Sequence, residues 1–220
     1  MVKRSNPQGI DVSSYQTDVN WNDVKKNGIS FAYIKATEGT CQYFFFEHRN
    51  TNVMDTPAYK SPEFNSQYTG ATNAGIIRGA YHFARPDISN GAEQAKYFAA
   101  NGGGWSGDGI TLPGALDIEC ECDSCYDLSA SEMVSWIQDF SDTYHMIYTT
   151  TDWWKSCIGN SAVFSNNNPL WIAHYASSIG SLPAGWSYTS FWQYADHGPN
   201  PGDADLWNGD MNGLQHFARG

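Results

Sequence analysis

The chain has 220 residues, and its 12 basic side chains stand against 23 acidic ones for a net charge of −11. A length of this order fits one domain with a full core. So acidic a surface argues against nucleic acid and anionic membrane as partners, since both are held through Lys and Arg at phosphates. No apolar run approaches the length of a membrane span.

Residues 1–7 are polar and basic, which does not suit a signal peptide. Residues 1–8 therefore read as a leader remnant or tail, and 9–220 as one domain. "GIDVSSY" (9–15) reads as a strand with a polar end, and "NWNDVKKNG" (20–28) as a short helix stopped by Asn27 and Gly28. "ISFAYIKATEGT" (29–40) alternates as a strand does and breaks at Gly39. "SPEFNSQYTGATNAG" (61–75) reads as a helix with Pro62 in its first turn. The strand "IIRGAYHF" (76–83) and the helix "SNGAEQAKYFAANGG" (89–103) follow.

"TLPGALDIE" (111–119) reads as a strand, and the helix after it is the best marked in the chain. Ser129 and Glu132 have capping-box spacing, and Met133, Trp136, Ile137, Phe140 and Tyr144 recur at helical intervals. "MIYTT", "LWIAHYA", "SFWQYA" and "DADLW" supply the remaining strands, with little helix between the last three. Five strand–helix units followed by strands alone imply an irregular TIM-like α/β barrel: five β/α units plus three closing strands. The expected strand ends are Asp11, Glu38, His82, Glu119, Tyr148, Tyr175, Gln193 and Asp205. In such barrels that end is the active-site face.

The chemistry concentrates in "GALDIECECD" (114–123). Asp117 and Glu119 are two apart, so on a strand both side chains face one way while Ile118 faces the helical layer. Two crowded carboxyls drive one pKa upward, leaving an acid able to donate a proton near neutrality. Glycoside hydrolysis requires such a pair. The aromatic share of 15%, with nine Trp and thirteen Tyr, offers surfaces on which sugar rings stack. An Asp-x-Glu pair alone is equally a cap beside a solvated loop. Zinc at Cys120, Cys122 and Cys125 lacks a second ligand pair, because none of the six His has the needed spacing. No nucleotide-binding loop or G-x-S-x-G elbow is present, so neither a metal nor a cofactor is expected.

Taken in order, "GIDVSSYQ", "FAYIKATEGT", "IRGAYHFARP", "GGGWSGDGITLPGALDIE", "WIAHYA" and "FWQYADHG…GDADLWNGD" resemble the Ch-type lysozymes of glycoside hydrolase family 25, the fungal members above all. The resemblance spans nearly the whole chain. It implies a secreted, extracellular, monomeric muramidase that cleaves the β-1,4 bond between N-acetylmuramic acid and N-acetylglucosamine in bacterial peptidoglycan. Carried over motif by motif, it makes Glu119 the general acid, with Asp117 orienting or polarising the substrate's N-acetyl group or acting with the acid. Asp11 and Asp205 complete the acidic site, with Asp203 and Asp210 close to the latter. Glu38, Tyr81, Tyr148, Tyr175 and Gln193 fall on the sugar-binding wall. Cys125 and Cys157 match the family's usual disulfide, which would tie one α/β unit to itself.

Two departures stand out. Residues 41–60, with three consecutive Phe at 44–46, replace a short loop and would lie at the groove rim. The connection before "MIYTT" is shorter than the family's. A chitinase-like hydrolase is the nearest enzymatic alternative, but Ala115 and Leu112 occupy places where its motif has Asp. A wall- or chitin-binding barrel without turnover is the non-enzymatic one.

Overall fold

The computed structural model describes residues 6–40, 58–119 and 125–220. Nine strands and six helices succeed one another there: β1 (Gln8–Val12), α1 (Trp21–Lys26), β2 (Ile29–Glu38), β3 (Tyr59–Lys60), α2 (Phe64–Asn73), β4 (Ile77–Phe83), α3 (Gly91–Ala100), β5 (Ala115–Asp117), α4 (Ala130–Ser141), β6 (Met146–Thr150), α5 (Thr151–Ile158), β7 (Leu170–Ala173), β8 (Phe191–Ala195), β9 (Asp203–Trp207) and α6 (Met211–Phe217). Eight of the strands close a barrel in the order β1-β9-β8-β7-β6-β5-β4-β2, with β2 returning to β1. β1, β2 and β4 to β8 pair in parallel, whereas β9 runs antiparallel to both β8 and β1. These are the five β/α units and three closing strands expected from the pattern.

Local chemistry accounts for the helices. The Ser129 hydroxyl accepts from the Glu132 N–H, and the Glu132 carboxylate reaches back to the Ser129 N–H, so the capping box starts α4. Asn90, Thr150 and Asp210 cap α3, α5 and α6 by the same side-chain-to-backbone bond. α2 differs from its expected start. Pro62 lies in the turn before the helix, and Glu63 at the cap position makes no side-chain capping bond.

Strand alternation separates two cores. Outward residues such as Ile10, Ala32, Ile34, Leu116, Ile118 and Ile147 pack under the helices with Trp136, Phe140 and Trp154. Inward residues fill the barrel with a stack of rings: Phe31 against Phe191 at 5.1 Å, Tyr33 against Trp171 at 4.8 Å, and Tyr148 against Trp171 at 4.8 Å. Glycine makes room for it. A Cβ on Gly79, the register partner of Tyr33, would lie 2.5 Å from that ring. α6, which hydrophobic spacing alone did not reveal, sets Leu214 and Phe217 against this inner core; Phe217 lies 5.2 Å from Trp207.

Two expected strand ends are corrected. His82 faces outward because Tyr81 and Phe83 take the inward positions. It is fully buried between Thr37 and Gln94, and burial lowers its pKa to about 4. Because β9 is reversed, its first residue, Asp203, reaches the open end of the barrel, and Asp205 lies deeper.

Cys125 and Cys157 are joined by a disulfide, with Cα atoms 5.3 Å apart and a sequence separation of 32. Closing a loop of that size stabilises by roughly 3–4 kcal/mol in the chain-entropy model. Replacing both cysteines by Ala is expected to lower the unfolding free energy by about that amount. Urea titration checks it, with a steeper slope as the unlinked chain expands, and a loss below about 1 kcal/mol would show that the bridge stabilises little. Cys41, Cys120, Cys122 and the three Phe at 44–46 lie outside the described residues. Residues 59–60, the described end of the unusual segment, pair with Thr37 and Glu38 at the open end of β2.

Candidate active site

The strand ends open onto a groove of about 640 Å³. Seven carboxyls line it (Asp11, Glu38, Asp87, Asp117, Glu119, Asp127 and Asp203) against two cations, Lys35 and Arg85. A second cavity of about 430 Å³, lined by Thr150, Asp152, His174 and Ser181, continues from it. The two share Glu119, Tyr148 and Tyr175. The depression therefore runs past the carboxyl pair in both directions, as a cleft for a chain cut in its interior requires.

β5 places the pair. Asp117 sits between Phe83 of β4 and Tyr148 of β6 in the sheet register and is only 6% exposed. One of its oxygens, Oδ1, has no hydrogen-bond partner within the protein. Burial, and then the neighbouring charge of Glu119, holds its pKa well above the usual carboxylate range, with Lys35 opposing. Glu119, one pleat further out, is half-buried on the groove wall. Ile118 is buried on the helical side, as the alternation requires.

The other acids are wired through Gln193. Its Oε1 accepts from the hydroxyls of Tyr148 at 2.9 Å and Tyr175 at 3.0 Å, and its Nε2 donates to Asp11 at 2.8 Å and Asp203 at 3.1 Å. All of the amide's hydrogen-bonding capacity is used, so its orientation is fixed. Asp205 does not line the groove. It is fully buried, and its Oδ1 accepts from the Trp171 indole at 2.8 Å. Its other oxygen, Oδ2, is buried with no hydrogen-bond partner within the protein. Burial, and the charge of Asp11 after it, keeps Asp205 well above the normal range. Burial, and the charge of Asp203 after it, raises Asp11 to about 7.

Glu38 lines the groove in an ion pair with Lys35 at 2.7 Å and lies 3.7 Å from Arg85. Tyr81 and Tyr148 form buried walls, and Tyr175 stands 53% exposed at the lip. Sequence reasoning did not single out Lys35 or Trp171, and named Asp203 only as a neighbour of Asp205. Lys35 and Trp171 follow from continuing the inward alternation of β2 and β7. Asp203 follows only from the reversal of β9. Among the described residues, no three His, Cys, Asp or Glu side chains group as a metal site.

These shifts give a pH dependence of stability. Raised carboxyls keep protons in the fold that the unfolded chain releases from about pH 4 upward, so stability falls as pH rises toward their folded pKa values. His82 acts oppositely, adding stability between about pH 4 and 6.5. Four raised acids (Asp11, Asp117, Asp203 and Asp205) outweigh one His. The melting temperature is expected to fall by at least about 5 °C between pH 5 and 8, most steeply above pH 6.5 where His82 no longer compensates. A flat or rising calorimetric profile over that range would contradict the buried-acid account.

The family model for glycosyl hydrolases family 25 matches residues 10–53 and 50–203. The chain is 49% identical over 222 residues to an N,O-diacetylmuramidase of Arthroderma benhamiae, covering 97% of this chain and 87% of the relative. It is 47% identical over 226 residues to an N,O-diacetylmuramidase of a Chalaropsis species, covering 97% and 99%. A family GH25 lysozyme structure from Aspergillus fumigatus superposes with a TM-score of 0.88 at 46% identity, covering 98% of this chain and all of that one. Among the described residues, no helix is long and apolar enough to cross a membrane.

Proposed function

The chain belongs to glycosyl hydrolases family 25 and is a peptidoglycan-hydrolysing lysozyme, and from that premise we propose that Glu119 is its general acid. The observation that carries this reading is the junction of the two cavities at Glu119, beside the buried carboxyl of Asp117.

In this mechanism the glycan lies along the groove with the bond between N-acetylmuramic acid C1 and N-acetylglucosamine O4 beside Glu119. Glu119 gives its proton to O4 as the C1–O4 bond breaks. Water then supplies the hydroxyl to C1 and returns a proton to a carboxylate in the groove. Asp117, whose burial favours the protonated carboxyl, hydrogen-bonds the N-acetyl carbonyl and holds that group at the reacting carbon. Asp11, held by the Gln193 amide, faces the pair across the groove. Tyr81, Tyr148 and Tyr175 present rings and hydroxyls to the sugars, and Glu38 holds Lys35 and Arg85 at the rim.

The substrate lies outside bacterial cells, and a structural disulfide persists in oxidising surroundings. Both support a secreted enzyme. One chain supplies the whole groove, which supports action as a monomer.

Purified peptidoglycan and chitin, incubated in parallel with reducing ends counted, test the proposal. Peptidoglycan is expected to be cut and chitin left largely intact. Binding to walls without new reducing ends would favour a binding barrel, and faster release from chitin would favour a chitinase-like enzyme.

A further inference from the structure

The three residues after the undescribed stretch that follows Glu119 have an unusual backbone. Cys125, Tyr126 and Asp127 have φ values of 46°, 57° and 57°, and none is glycine. Residues with a Cβ visit this left-handed region singly and at a cost, so three in a row persist only where the surroundings impose them. Three restraints are present here. Cys125 is bonded to Cys157 at the end of α5. The Leu128 N–H donates to the Cys125 carbonyl. Cys125, Tyr126 and Leu128 all pack against the outer core.

The product of that turn is the position of one hydroxyl. The Tyr126 Oη donates to the backbone carbonyl of Glu119 and lies 3.2 Å from the carbonyl of Ala84. Ala84 in turn donates its N–H to the carbonyl of Asp117 at 2.8 Å. Tyr126 thus ties the ends of β4 and β5 together where β5 has run out: regular pairing stops at Asp117, and Glu119 stands two residues beyond. An acid outside the ladder lacks the restraint that the ladder provides, and a misplacement of about 1 Å at a reacting centre costs on the order of 10²-fold.

We propose that Tyr126 is the positioning residue for Glu119 and that the Cys125–Cys157 disulfide acts on catalysis through it, by holding the left-handed turn that aims the hydroxyl. The inference rests on the reading of Glu119 as the acid.

The test uses the whole chain on a soluble peptidoglycan oligosaccharide, well below the melting temperature, with four variants: Tyr126→Phe, Cys125→Ala with Cys157→Ala, the triple combination, and Glu119→Gln. Phenylalanine keeps the ring in the groove wall and removes only the hydroxyl. Tyr126→Phe is expected to lower kcat about tenfold with KM within about twofold of wild type. The cysteine pair is expected to do likewise. The triple variant should be little worse than either, because both changes release one clamp.

A Tyr126→Phe enzyme with wild-type kcat, one altered only in KM, or losses that multiply in the triple variant would overturn the inference. If Glu119→Gln is inactive in the same series, the assignment of the acid stands apart from that failure. If Glu119→Gln is active, the assignment itself has failed. Should Tyr126→Phe not fold, reduction of the disulfide in the folded wild-type protein decides by the same split. A fall in kcat at unchanged KM supports the clamp, and unchanged kcat removes it.

Discussion

Replacing Glu119 by Gln is expected to lower kcat on peptidoglycan by about 10²–10⁴-fold, with folding and wall binding retained. The amide has the shape and hydrogen-bonding reach of the acid but no proton to give to the departing O4. Glu119 is half-buried at the junction of the two cavities, so the change leaves no hole in either core. Turnover on a soluble oligosaccharide, with binding to inactivated walls measured beside it, separates the effects. A variant that keeps more than about a tenth of wild-type kcat would move the acid to another carboxyl.

Asp117→Asn is the second large effect, and it has opposite consequences for activity and stability. Activity is expected to drop about 10²-fold, because an amide N–H is a weaker donor to the N-acetyl carbonyl than a carboxylic acid. Stability is expected to rise. A buried carboxyl with an unpartnered oxygen and a pKa pushed upward weakens the fold progressively as pH climbs above the unfolded value. Asn has no such titration. The melting temperatures of variant and wild type should therefore nearly coincide at pH 4 and separate by roughly 2–6 °C at pH 8 in favour of the variant. A less stable variant at pH 8 would mean that the Asp117 carboxylate is well stabilised in the fold.

Much of this arrangement is legible in local sequence, for identifiable reasons. The α4 capping box and the inward pair Asp117 and Glu119 depend on neighbours within a few residues, where spacing carries the information. β5 has only three ladder residues, yet its pattern is readable because Leu116 and Ile118 face the helical layer while the two acids between and after them face the barrel mouth. Features set by distant partners were not legible. Reading β9 as another forward strand puts Asp205 at the mouth, and only its antiparallel pairing with β1 and β8 brings Asp203 there instead. α6 has few apolar residues, and its reason to form is the open bottom of the barrel that Leu214 fills. Tyr126 has no motif around it; its role depends on a disulfide partner on another helix and on two strand ends. His82 is a different case, since the alternation of Tyr81, His82 and Phe83 already assigns it to the helical side.

The most direct test of the account is the identity of the sugar at each new chain end. Peptidoglycan digested to completion is reduced with borohydride, and the fragments are analysed by mass. The account predicts reduced muramic acid at every enzyme-generated terminus, with none in the Glu119→Gln digest. Reduced glucosamine at those termini, or no cleavage by the wild-type protein, would contradict it.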